Sequence, residues 1–194
     1  MTEILGEDGK ARCAWSASDA EYRRYHDEEW GFPLHGDQPL FEKLSLEGFQ
    51  AGLSWITILK RRSGFRQAFH DFDIERVAEM SQADVTLLMA DPTIIRNRAK
   101  IEATISNARI TRELVAGAPG RLDELIWSFA PPARIGPPSL TSEIPAVTPE
   151  STALSTALRA AGFKFVGPTT MYALMQSSGL VDDHVAGCWR SSPV

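Results

Sequence analysis

Apolar residues recur at intervals of three and four from about residue 18 to residue 129, the spacing of helices that bury one face. Asp19 to Trp30 reads as the first helix, with Tyr22, Tyr25, His26 and Glu29 on one face. Leu40, Leu44, Glu47 and Ala51 mark the stripe of a second, with Phe41 beside it. Gly48 and Gly52 flank that stripe, where small residues let a neighbouring element or a ligand approach closely. A short third helix begins near Trp55 and ends in the basic run Lys60, Arg61, Arg62. Asp73 and Ser81 stand as N-caps of two further short helices, the second with Asp84 in its first turn. Ile101, Ile105 and Ala108 line the next, preceded by Arg96, Arg98 and Lys100.

The segment from Pro131 to Pro149 holds six prolines and reads as a long ordered loop. Thr148 and Pro149 then make a cap and first-turn pair for a helix carrying Leu154, Ala157 and Leu158, which Gly162 is placed to stop. After GFKFVG a last core helix runs from Pro168 or Thr169 to about Ser178. No run of alternating apolar residues demands a sheet, so the expected fold is all-α. Residues 1–194 are expected to form one domain, with 1–12 a flexible N-terminal extension.

Composition narrows the compartment. The opening MTEILGEDGKAR is charged and lacks the apolar core of a signal peptide. No stretch reaches the roughly 18 apolar residues that cross a bilayer. A soluble, cytoplasmic protein without a membrane partner is expected, with a monomer as the default. The net charge of -5 counts against a nucleic-acid partner as a whole-molecule sum, although a local basic face is compatible with it.

The two cysteines, Cys13 and Cys188, lie near opposite ends of the chain. They admit a disulfide, but in a reducing compartment a metal site is the better reading. His184 and Cys188 are four residues apart, so on a helix both leave one face, and His26 follows Cys13 by thirteen. The set is Cys2His2, drawn half from each end. Four protein ligands leave no open position, so the expected ion is one structural zinc that clips the ends together. Ordinary buried cysteines and surface histidines are the simpler alternative. His35 and His70 have no comparable partners and read as surface or packing residues.

Glu47 is the chemical outlier, a carboxylate on an apolar stripe where charge is costly unless paired. With Tyr22, Tyr25 and Trp55 it suggests a pocket with aromatic walls and one acceptor, which suits a nucleobase flipped out of its duplex. By pattern alone, a carboxylate that caps a helix or meets an arginine is the simpler reading. Trp15, Trp30, Trp127 and Trp189 read as core or rim packing. Gly162 to Gly167 lies between two helices, and glycines around a short turn expose backbone N–H groups that can hold a phosphate. It resembles the hairpin of helix-hairpin-helix DNA-binding proteins, and a plain helix-helix turn is the alternative.

The residues together resemble the DNA-3-methyladenine glycosylase I family. The matching stretches are RCAW at 12–15, YHDEEWG at 25–31, LEGFQAGLSWITILKRR at 46–62 and IIRNRAK at 94–100, then WSF at 127–129, SEIP at 142–145, GFKFVGPTTMYALMQ at 162–176 and GLVDDHVAGC at 179–188. The chain departs in a short tail after Cys188 and in Asp182, where some members carry asparagine. The resemblance implies a helix-hairpin-helix glycosylase that acts on double-stranded DNA containing alkylated bases and releases free 3-methyladenine. It implies a zinc clip at Cys13, His26, His184 and Cys188, and a base pocket of Glu47, Trp55, Tyr22 and Tyr25, with Glu47 the catalytic carboxylate. Gly162, Lys164, Gly167 and Thr169 would form the phosphate-binding hairpin. Thr169 stands where bifunctional relatives carry a lysine nucleophile, so hydrolysis without strand cleavage is expected. Asp182 would either stabilise the sugar cation or cap the helix that carries His184, the cap being the simpler role. Lys60, Arg61, Arg62, Arg96, Arg98, Lys100 and Lys164 are candidate phosphate contacts. A non-catalytic DNA-binding module has no use for Glu47 beside Trp55, and a zinc hydrolase needs an open metal position.

Overall fold

The computed structural model describes residues 2–191, so the first residue of the expected extension and the last three of the expected domain lie outside the described residues. Helices dominate, and their starts are written in local chemistry. Asp19 accepts the Glu21 N–H to begin α1 (Ala20–Glu28). α2 (Asp37–Gln50) opens at Gly36 and continues through a turn into α3 (Trp55–Leu59) and α4 (Arg62–Ala68). Asp73 caps α5 (Ile74–Glu79), Ser81 and Asp84 form a reciprocal cap on α6 (Gln82–Ala90), and Asn97 caps α7 (Arg98–Val115). α8 (Arg121–Trp127) starts on the carboxylate of Asp37, which accepts from Gly120, Leu122 and Asp123. Thr148 caps α9 (Pro149–Ala160), and α10 (Pro168–Ser177) follows the Gly162–Gly167 turn. No helix among the described residues is long and apolar enough to cross a membrane.

The second helix is more central than its stripe implies. α2 is buried from Leu40 to Phe49 except at Glu42, and it packs against α3, α7, α8 and α10. Phe49 of α2 meets Phe65 at a tilt, and Phe65, Phe69 and Phe72 stack in series beneath the helix. Glu47 thus lies on a helix that meets protein on every side, which is why its surroundings could not be read from one face.

Two expectations need correction. The chain is not wholly helical: β1 (Glu3–Leu5) pairs antiparallel with β2 (Ala11–Cys13). Residues 3–13 are therefore an ordered hairpin, turned at Gly9 (φ 75°). Arg12 holds it to α1 through Asp27 at 2.7 Å, and the Trp189 N–H donates to the Ala11 carbonyl at 2.8 Å. Three-residue strands are too short to show a period of two. The basic run at 60–62 does end α3, and because Arg61 leaves helical geometry (φ -104°, ψ 3°) a further helix, α4, starts within the run.

Candidate active site and metal centre

α1, α2, α3 and α10 converge with the 141–145 turn of the proline-rich loop around a cavity of about 360 Å³. Tyr22, Tyr25, Glu47 and Trp55 all line it, as the sequence suggests. Trp15 and Trp30 line it too, which corrects their assignment to packing alone. The rings form an edge-to-face chain, with Trp15 5.2 Å from Tyr22 and 5.2 Å from Trp30, while Tyr25 lies 5.5 Å from Trp55. Ile144 and Pro145 complete the wall.

Glu47 is 3% exposed and has no arginine partner among the described residues. Its Oε1 accepts the Ser177 hydroxyl at 2.8 Å, whereas Oε2 is buried without a hydrogen-bond partner. The indole Nε1 of Trp55 is likewise buried and unpartnered. Two residues that line one aromatic cavity thus keep an unused acceptor and an unused donor beneath its surface, a pairing that suits a flat heterocycle with a polar edge once the site rearranges around it. Burial pushes the Glu47 carboxyl up to about 7, against the opposing pull of Lys43 and the Ser177 hydrogen bond. Burial likewise raises the phenols of Tyr22 and Tyr25, and the negative charge of Glu47 adds to it. Pattern reading missed Lys43 and Ser177, since a lysine one turn from a glutamate reads as a surface pair and a serine near a helix end reads as solvent-facing.

Trp15 and Trp30 also connect the cavity to a second cluster. Trp15 lies 5.3 Å from His26, and Trp30 lies 4.6 Å from His184, between ring centroids. Cys13, His26 and Cys188 are buried with their ligand atoms all within 4.8 Å of one another, and the cysteines are free thiols. His184 is outside that group of three, yet its ring centroid is 5.0 Å from that of His26 and its buried Nε2 has no hydrogen-bond partner. Each imidazole is oriented by a carboxylate at Nδ1, Asp27 for His26 at 2.9 Å and Asp182 for His184 at 2.8 Å. That leaves the Nε2 of His184 unpartnered and turns the Nε2 of His26 toward Cys188 Sγ at 3.4 Å, the arrangement that aligns histidine ligands. Gly31 (φ 79°) admits the His184 ring, since a Cβ there would meet Cε1 at 2.8 Å. The Cys13 S–H and His26 favour the Cys188 thiolate, whereas donation toward Cys188 and burial disfavour the Cys13 thiolate.

The segment holding His184 and Cys188 is not a helix, contrary to expectation. It is an irregular strap, so Asp182 caps no helix. It accepts the His184 backbone N–H at 3.1 Å and holds the ring of the same residue.

The Gly162–Gly167 turn is tied to α7. Gly162 (φ 96°) stops α9, Phe165 takes a positive φ of 57°, and Lys164 and Thr169 are exposed. Asn107 of α7 both donates to the Lys164 carbonyl (3.0 Å) and accepts its N–H (2.9 Å). Asn107→Ala is expected to cost about 1–3 kcal/mol, seen as a lower urea midpoint, because both backbone groups lose their partner. Phe165 sits over Gly48, the close approach expected there, whereas Gly52 (φ 81°) has open space around it and serves its turn. Several basic candidates are committed elsewhere: Lys100 is buried on the Phe49 and Ala51 carbonyls at the end of α2, Arg62 is paired with Glu29, and Lys60 with Asp19. Arg61 donates to the Pro92 carbonyl and Arg98 faces Glu102, while Arg96 is exposed.

Comparison with known proteins places this geometry. The methyladenine glycosylase family model matches residues 15–191. The chain belongs to that family. It is 48% identical over 178 residues to DNA-3-methyladenine glycosylase 1 of Escherichia coli K12, covering 91% of this chain and 95% of that protein. It is 46% identical over 179 residues to the DNA-3-methyladenine glycosylase of Haemophilus influenzae Rd, covering 91% and 96%. A crystal structure of 3-methyladenine DNA glycosylase I superposes with a TM-score of 0.89 at 46% identity, covering 93% of this chain and all of that one (100%). The 3-methyladenine DNA glycosylase I of Staphylococcus aureus superposes at 0.87 and 35% identity, covering 94% and 97%. A further family structure, at 0.87 and 35% over 94% and 98%, is a complex with 3-methyladenine.

Proposed function

We propose that this glycosylase excises 3-methyladenine from alkylated double-stranded DNA by hydrolysing the N-glycosidic bond, leaving an abasic site and an intact strand. The observation that carries the reading is the buried, unpartnered Oε2 of Glu47, a residue that lines an aromatic cavity. Methylation at N3 gives the base a positive charge and makes it a good leaving group. The task of the protein is then to extrude the base, bind it selectively and admit water to an oxocarbenium-like sugar.

Glu47 accepts hydrogen bonds from the polar edge of the base, and its charge attracts the cation in a partly desolvated site. Neutral adenine lacks that attraction. Tyr22, Tyr25 and Trp55 enclose the ring, with Trp15 and Trp30 extending the wall. The α9–turn–α10 unit acts as a helix-hairpin-helix grip, with Gly162, Lys164, Gly167 and Thr169 at the phosphates. Thr169 stands where bifunctional relatives carry their lysine nucleophile, so no Schiff base forms there and the strand stays intact.

Cys13, His26, Cys188 and His184 would hold one zinc ion, closed to substrate and purely structural. The fit rests on the unpartnered Nε2 of His184 and on the two carboxylates behind the imidazoles. In this reading Asp182 serves His184, not the sugar. The enzyme works as a monomer, with the cytoplasm as its compartment.

Purified protein incubated with methylated duplex DNA should release free 3-methyladenine, identified by chromatography, from a strand that stays intact on a neutral denaturing gel. Folded, zinc-loaded protein that releases no base would overturn the reading in favour of a DNA-binding module. Strand breaks formed without alkali would refute the monofunctional mechanism alone.

A further inference from the structure

α2 carries a second buried charge, one helical turn before Glu47. Lys43 is 9% exposed. The hydrogen bond its ammonium makes goes to the phenol of Tyr25 at 3.2 Å, not to a carboxylate. The same Nζ lies 5.0 Å from the centroid of Tyr25 and 5.4 Å from that of Trp55, two walls of the base cavity. Lys43 also lines a separate cavity of about 250 Å³, which shares Ser177 with the base cavity. A methionine would fill the same space without the desolvation cost of an ammonium. What the lysine adds over an apolar residue is charge.

We infer that Lys43 is a positioning residue for base recognition, its buried ammonium holding the Tyr25 ring and setting a positive charge one helical turn from the Glu47 carboxylate that receives the base. The inference rests on the excision reading for its functional consequence. The charged and titratable groups facing the pair are few. Glu42 belongs to α2, Glu29 follows α1, Arg62 comes from α4, and Tyr22 and Tyr25 come from α1. α3 brings Trp55 and α10 brings Ser177, neither of them charged. Glu29 is engaged by Arg62 and Arg24, and Glu42 by Arg66 at 2.8 Å. Those carboxylates are neutralised by arginines, while Glu47 has no such partner and lies at i+4 from Lys43. Burial drives Glu47 toward its neutral acid and Lys43 opposes it, and burial lowers Lys43 while Glu47 raises it.

The test compares wild type, Lys43→Met and Lys43→Gln, the last keeping a donor for Tyr25 without the charge. The Glu47 carboxyl is followed by carbon-13 NMR across pH, assigned by its loss in Glu47→Gln, alongside thermal unfolding and the pH profile of 3-methyladenine release. Expected is a rise of about one pH unit in the Glu47 midpoint in both variants. The acid limb of kcat/KM should move with it, giving about ten-fold lower activity below the midpoint at undiminished Tm. An unmoved Glu47 midpoint in folded Lys43→Met overturns the role of Lys43 whatever the activity. A moved midpoint with an unmoved acid limb overturns its link to recognition. A wild type that shows the coupling yet releases no base refutes the excision reading and, with it, the functional part of the inference.

Discussion

Glu47→Gln is expected to lower kcat/KM for 3-methyladenine release by about 10²–10³-fold, the order seen when a preorganised electrostatic group is lost. The same substitution should make the protein more stable at alkaline pH. The folded-state midpoint of Glu47 is raised to about 7 from an ordinary value of 4.5. A carboxyl so displaced contributes no penalty below its unfolded midpoint. Between pH 4.5 and 7 the unfolded chain ionises first, so stability falls as pH rises, by up to about 3 kcal/mol from a shift of that size. Glutamine keeps the acceptor for Ser177 and removes the charge. Urea unfolding at pH 5 and pH 8 should therefore show wild type and variant close together at the lower pH and the variant ahead at the higher. A variant that is less stable at pH 8, or that retains wild-type activity, would refute the view of Glu47 as a functional charge held at the expense of stability.

If the cluster holds the proposed zinc ion, Cys188→Ala or treatment with a strong chelator should lower Tm by about 10 °C, corresponding to on the order of 3–5 kcal/mol. Cys188 joins the C-terminal strap to β2 through Cys13 and to α1 through His26, so its loss releases both ends of the chain. The effect should reach the base cavity, since Trp15 and Trp30 form its wall and also pack on His26 and His184. Weaker binding of free 3-methyladenine, read from tryptophan fluorescence, should accompany the lower Tm. Metal analysis that finds no zinc in active wild-type protein, with Cys188→Ala unchanged in Tm, would show the cluster to be ordinary packing.

Much of this was legible from the residues because the signals are local. Asp73, Ser81 and Thr148 announce helix starts through side-chain oxygens that reach N–H groups two or three residues on, and Gly162 stops α9 by its own positive φ. Cys13 and Cys188 stand out by residue type, His26 and His184 join them through spacing and the family resemblance, and Glu47 stands out as a charge among leucines. Tertiary contacts decided the rest. Whether Glu47 meets an arginine, and whether Trp15 and Trp30 face a cavity, depend on how α1, α2, α3 and α10 converge, and no interval along the chain encodes that. Lys100 and Arg62 look like free cations until the end of α2 and Glu29 take them up. Lys43 looks like a solvated partner of Glu47 until the packing buries both. Helix caps and ligand types are short-range properties and survive in the sequence, whereas burial, which sets the cost and strength of every charge here, belongs to the assembled chain.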